Sequence, residues 1–253
     1  MLSANKLKYI RSLELKKYRN LHNSFVAEGN KLVAEMLPVL SCKLLVALPE
    51  WIESNSPLPA EEVIPANRKE IDKASFLTSP QDVIAIFDIP SRNIESADPS
   101  TDLVLLLDGI QDPGNAGTII RLADWFGITH IICSPDTADA YSPKTIQASM
   151  GATARVSIHY ASLPNWLSHH SGNTPIYGAF LDGSNIYTHP LSPGGILIMG
   201  NEGNGIRSSV APFVTERLFI PSYPPHRPTS ESLNVAIATA LACSEFRRRT
   251  TSA

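Results

Sequence analysis

With 253 residues, 43% of them hydrophobic, and a formal net charge of -3, the chain has ample apolar content for two modest domains or one large one. That composition excludes disorder and argues against indiscriminate polyanion binding. Cys42, Cys133 and Cys243 lie far apart without metal-ligand spacing, so they read as reduced buried thiols and no metal is expected.

The first 22 residues set six cations (Lys6, Lys8, Arg11, Lys16, Lys17 and Arg19) against one acid, Glu14. A helix is predicted over 5–18. Its face reads either as a phosphate-facing surface, with Lys6, Lys16, Lys17 and Arg19 as the candidate contacts, or as a plain solvated face. The start lacks the apolar core of a secretory signal, and no later run is long and apolar enough to span a membrane, so a soluble cytoplasmic protein is expected. A short strand at 25–27, a helix at 30–37 and strands at 43–48 and 82–87 follow. The polar stretch 90–101 then suits an exposed linker, which divides the chain into a domain over 1–92, a linker at 93–101 and a domain over 102–253.

Beyond the linker, apolar runs at 103–107, 130–133, 155–159, 176–180, 195–199 and 217–220 alternate with mostly helical segments. Strands without a wet side belong to a parallel sheet covered on both faces, so the fold class is α/β. In such sheets ligands sit beyond the strand C-termini, and three polar motifs directly follow strands or open the last helix.

The first motif, Asp108-Gly-Ile-Gln-Asp112-Pro-Gly-Asn115-Ala-Gly117, is a turn leading into a helix. Arg121 falls off the apolar stripe of that helix and faces solvent or a cleft; Asn115 reads as an N-cap or a site residue. The glycines lack the spacing of nucleotide or dinucleotide phosphate loops. The second, Gly200-Asn-Glu202-Gly-Asn-Gly205, puts an acid in a backbone-tight turn, where it needs a partner, a ligand or Arg121. The third, Ser232-Leu-Asn234-Val235, opens a helix with an apolar stripe of Leu233, Ile237, Ala240 and Leu241. The terminal Arg247, Arg248 and Arg249 suit a helix C-terminus.

Together the three motifs resemble the SpoU/TrmH family of RNA ribose 2'-O-methyltransferases over roughly residues 100–248. The resemblance implies a parallel-sheet SPOUT domain with a C-terminal trefoil knot, preceded by a small α/β substrate-binding domain in which Phe25-Val-Ala-Glu28-Gly29 matches a recurrent stretch. It further implies an S-adenosylmethionine-dependent enzyme acting on rRNA or tRNA as a homodimer, with Arg121 open to supply by the partner subunit. Asn115, Arg121, Glu202, Ser232 and Asn234 would form the catalytic group, and Gly200, Ile220 and Leu233 would contact the cofactor. A guanidinium is a poor base, so Arg121 is expected to bind the target phosphate and hydroxyl while the others fix the geometry.

The loop 221–231 departs from the family pattern: it is longer and lacks the usual methionine and glycine, which leaves its cofactor contacts open. His226 and Arg227 within it are weighed as RNA contacts, against inert loop residues. Two other functions compete: an RNA-binding member that has lost its chemistry, and a hydrolase using Asp108, Asp112 and Glu202 as acids. For Asp108 and Asp112 the simpler reading is turn formation.

Overall fold

The structure, a computed structural model, describes residues 1–170, 172, 174–224 and 230–250. His226 and Arg227 lie outside the described residues. Two compact units emerge, one comprising Met1–Ser91 with Asp139–Arg155, the other Arg92–Ala138 with Val156–Ala253.

The first unit opens with α1 (Ala4–Ser12), capped by Ser3, and α2 (Lys16–His22), so the single helix expected over 5–18 is broken at 13–15. Nothing in the local sequence forces that break. It is held by Arg19, whose Nη1 donates to the carbonyls of Leu13 (2.7 Å) and Glu14 (2.6 Å) that the interruption leaves unpaired. Then follow β1 (Ser24–Glu28), α3 (Asn30–Met36), β2 (Cys42–Ala47), α4 (Pro49–Asn55), β3 (Val63–Pro65), α5 (Arg68–Ala74) and β4 (Val83–Asp88). The sheet runs β1-β4-β2-β3, antiparallel except for the β2–β3 pair. Ile10, Leu13, Val26, Leu44, Val46, Ile71, Ile84 and Ile86 form one apolar core.

The chain continues in the second unit with β5 (Leu103–Asp108), α6 (Pro113–Trp125) and β6 (His130–Cys133). It contributes α7 (Pro143–Ser149) to the first unit, then completes the second with β7 (Ser157–Tyr160), α8 (Leu163–His170), β8 (Ile176–Asn185), β9 (Gly195–Gly200), β10 (Glu216–Phe219) and α9 (Val235–Thr250). The sheet order is β10-β8-β9-β5-β6-β7, and each adjacent pair is parallel. Val104, Leu106, Ile196 and Ile198 share a core with Leu163, Trp166 and Leu167 of α8. The polar stretch before β5 is not a free tether, for Ala97 is buried in this same core with Ile94 packed beside it.

Two irregularities shape the C-terminal edge of this sheet. β10 pairs with Tyr177 and Gly178 of β8 and then skips to Ser184 and Asn185, so 179–183 swings out of the ladder. Gly183, at φ +147°, permits the excursion, since a Cβ there would strike the Arg217 carbonyl. At the far end of the chain the three arginines do more than suit a dipole. Arg247 Nε donates to the Phe126 carbonyl (2.7 Å), Arg249 Nη2 to that of Ile186 (3.0 Å), and Glu245 accepts from both Arg248 and Arg249. The tail of α9 is thereby bolted to the end of α6 and to the turn after β8.

Candidate active site

Asp108 and Gly200 are register partners at the C-terminal ends of β5 and β9, which brings the first two motifs side by side. Asp112, not Asn115, caps α6: its carboxylate accepts the Asn115 amide at 2.8 Å, with Pro113 filling the first helical position. The Asn115 side chain is therefore free to leave the helix. From the opposite side, 201–205 forms a tight hairpin closed by Asn201 N to Gly205 O (3.0 Å) and Gly205 N to Asn201 O (2.8 Å). Gly200 is required here because a Cβ would collide with the Gly205–Ile206 peptide, and Gly205 itself sits at φ +66°.

At the tip of the hairpin, Glu202 Oε1 accepts from Asn115 Nδ2 at 2.7 Å, from Asn234 Nδ2 at 2.9 Å and from the Val235 amide at 3.3 Å. Asn234 Nδ2 closes the triangle on Asn115 Oδ1 (3.0 Å), and its own Oδ1 caps α9 by accepting the amides of Ala236 and Ile237. Because α9 carries no acid in its first turn, Glu202 supplies from another element the negative charge that a helix N-terminus favours. The partner of Glu202 is thus a pair of asparagines and a helix start, rather than Arg121.

Two cavities adjoin this triangle and share Asn201, Glu202, Gly203 and Val235 as a common wall. The smaller, about 280 Å³, is polar and adds Gln111, Asp112 and Asn115. The larger, about 680 Å³, is walled by Met199, Gly200, Leu218, Ile220, Ser232 and Leu233, and by the excursion residues Phe180 and Leu181. Its size lies within the range of small-molecule sites. Gly200, Ile220, Leu233 and Ser232 all line it.

Arg121 stands apart. It is exposed, and it forms no hydrogen bond or ion pair among the described residues. It lies six residues on from Asn115 along the helix, about 9 Å along the axis and roughly 120° around it. Trp125, one turn on, is 81% exposed on the same face. The apolar stripe at the start and along the outer side of α9 is largely uncovered: Leu233, Ile237 and Leu241 are 45%, 53% and 36% exposed, while Val235, Thr239, Ala242 and Phe246 turn inward.

Of the candidate phosphate contacts, Lys17 is exposed with its ammonium 4.8 Å from the Tyr18 ring centroid, Lys16 is exposed, and Lys6 pairs with Glu62. Arg19 is not available to a phosphate. Only 3% exposed, it spends its guanidinium on Asp139 (2.6 Å) and on the two carbonyls at the helix break.

Sequence reasoning missed a charged network beneath the hairpin. Asp108, fully buried, accepts the Arg207 backbone amide on Oδ2 (2.8 Å) and Arg207 Nε on Oδ1 (2.6 Å), so it is not a turn former. Arg207 Nη1 also meets Asp136 (3.2 Å), whose pKa is lowered first by a hydrogen bond from Ser134 and further by Arg207. The available signal was an acid ending an otherwise apolar buried strand, a position that demands a partner.

The chain matches the SpoU rRNA methylase family over residues 102–244, and the MRM3-like substrate binding domain over residues 4–85. The chain is 32% identical over 243 residues to the 23S rRNA (guanosine(2553)-2'-O)-methyltransferase RlmP of Bacillus subtilis, covering 93% of each. A TrmH-family protein from Porphyromonas gingivalis superposes with a TM-score of 0.88 at 45% identity, covering 98% of this chain and 99% of that one. An AdoMet-bound rRNA methyltransferase from Sinorhizobium meliloti does so at 0.83 and 30% identity, covering 98% and 97%. With both domains matched and the likeness running nearly end to end, the chain belongs to the SpoU rRNA methylase family.

Proposed function

We propose that the Asn115–Glu202–Asn234 triangle is the centre at which this chain methylates ribosomal RNA, with the target ribose in the smaller cavity and the methyl donor in the larger. The chain is an S-adenosylmethionine-dependent RNA ribose 2'-O-methyltransferase. The larger cavity fits that donor: Met199, Leu218, Ile220 and Leu233 offer apolar walls, and Gly200 lines it as well. When bound, S-adenosylmethionine supplies a methyl group already activated by its sulfonium. What the protein must add is alignment, worth about 7–11 kcal/mol, and help with one proton, worth about 100- to 10,000-fold.

Asn115 and Asn234 hold Glu202 through one carboxylate oxygen, at the wall common to both cavities. Ser232, which lines the larger cavity, is assigned to fixing the geometry of transfer with Asn115 and Glu202. Arg121, a permanent cation, binds the target phosphate and hydroxyl. Since its own chain leaves it outside the triangle, the partner subunit of a homodimer delivers it. The outward Trp125, Ile237 and Leu241 support that assembly, being apolar groups that a second copy would cover. The trefoil knot is the family's expected fold at these strand ends, and Lys16 and Lys17 suit an RNA-facing surface on the first unit.

The observation that carries this reading is the position of Glu202 at the seam of two cavities. Mapping 2'-O-methyl marks in total RNA with and without the gene tests it. A lost mark restored by the wild type and not by Glu202→Ala is expected; restoration by both, or no lost mark, refutes the reading.

A further inference from the structure

The hairpin bearing Glu202 shapes itself through its own hydrogen bonds, yet nothing within it sets where it points. The β9 ladder ends at Gly200, paired with Asp108. Beyond that, and apart from the bonds of Glu202 itself, two ties hold the hairpin's feet among the described residues. Asn201, entering the hairpin, donates Nδ2 to the Gly109 carbonyl at 2.8 Å while its Oδ1 accepts the amides of Gly203 (2.9 Å) and Asn204 (3.1 Å). Arg207, leaving it, grips Asp108 with its backbone amide and its guanidinium. Both ties land on consecutive residues of one segment, the end of β5, and that segment leads directly into Asp112 and Asn115. The piece of backbone that delivers Asn115 therefore also anchors both feet of the hairpin that delivers Glu202.

We infer that Asp108, Arg207 and Asn201 form a two-point clamp that positions Glu202 against Asn115 and Asn234, making them positioning residues for methyl transfer. The inference rests on the active-site reading above. Asp108 is 0% exposed, and among the described residues Arg207 supplies all its donors, so the tie is geometrically exacting: both carboxylate oxygens are engaged and neither has an alternative. Asp136 braces the guanidinium from its other edge. A lysine at 207 would keep the charge and lose the fork.

The test uses Asn201→Ala and Arg207→Lys, both at partly exposed positions, with Asp108→Asn as a third variant. Single-turnover kcat is expected to fall about 10- to 100-fold, as a misplacement near 1 Å produces. KM for the RNA should stay within about twofold, since the RNA-binding surface is untouched. Amide hydrogen exchange supplies a readout independent of catalysis. The Val235 amide, bonded to Glu202, should exchange faster in the variants, while the amides of Leu105 and Leu106 in the sheet keep their protection. Parental kcat and parental Val235 exchange in both Asn201→Ala and Arg207→Lys overturn the clamp. A rate loss accompanied by lost sheet protection also overturns it, assigning the network to folding alone. Should the wild type transfer no methyl group, the functional reading fails, and the Val235 measurement still decides the clamp.

Discussion

The hairpin at 200–207 and the outward faces of α6 and α9 are finished to different degrees. Around the hairpin, Asp108, Arg207 and Glu202 each find partners inside the chain. On the outward faces Arg121 has none among the described residues, and Trp125, Ile237 and Leu241 lack cover. On the proposed reading, one copy of the chain completes the carboxylate and cavity half of the centre. The cationic half would be left to association, which would make dimerisation part of the chemistry rather than an addition to it.

The contrast predicts a ranking. Glu202→Ala, which removes the hub of the triangle, should lower kcat about 100- to 1,000-fold, measured by single-turnover transfer to an rRNA fragment. Arg121→Ala should cost about 100-fold while leaving cofactor binding by calorimetry unchanged. Mixing the two inactive variants sharpens the comparison. If Arg121 acts across the subunits, random exchange in a two-fold dimer rebuilds about a quarter of the sites, whereas supply within one chain rebuilds none. Ile237→Asp should weaken self-association about 10- to 100-fold by analytical ultracentrifugation, because a charge would face the covered stripe, and the rate should fall as dimer is lost.

The smallest effect concerns stability. Hydrogen bonds from Arg248 and Arg249 hold Glu245 down to about 2 from its ordinary 4.5. A carboxylate depressed on folding stabilises fully above its unfolded value and loses that contribution as pH falls through the folded one. The melting temperature of the wild type should therefore drop between pH 4.5 and 2 more steeply than that of Glu245→Gln, and equal slopes would refute the role given to Glu245.

Much of the architecture was legible because β5 and β9 are nearly unbroken apolar runs, and such strands fit only a sheet buried on both faces. The α1–α2 break was not, since it depends on Arg19 reaching back to Leu13 and Glu14 and across to Asp139, 120 positions away. The short α5 carried a readable signal, the capping box of Asn67 and Glu70, but too few residues to show periodicity. In α9 two apolar faces coexist, and the bulkier, Leu233–Ile237–Leu241, proved to be the outer one; residue spacing marks a stripe without saying what covers it. Within the site, the residue types of the three motifs were visible. Which acid meets which amide depends on the parallel pairing of Asp108 with Gly200, fixed by strands almost a hundred residues apart.

The arginine bolts at the end of α9 bear on when a nascent chain becomes competent. Asn115, Glu202 and Asn234 all precede Glu245 and Arg249 in the chain, yet the helix that presents Asn234 draws part of its fastening from those later residues. A translation product stopping short of them would carry all three motifs without the grip that steadies the last one.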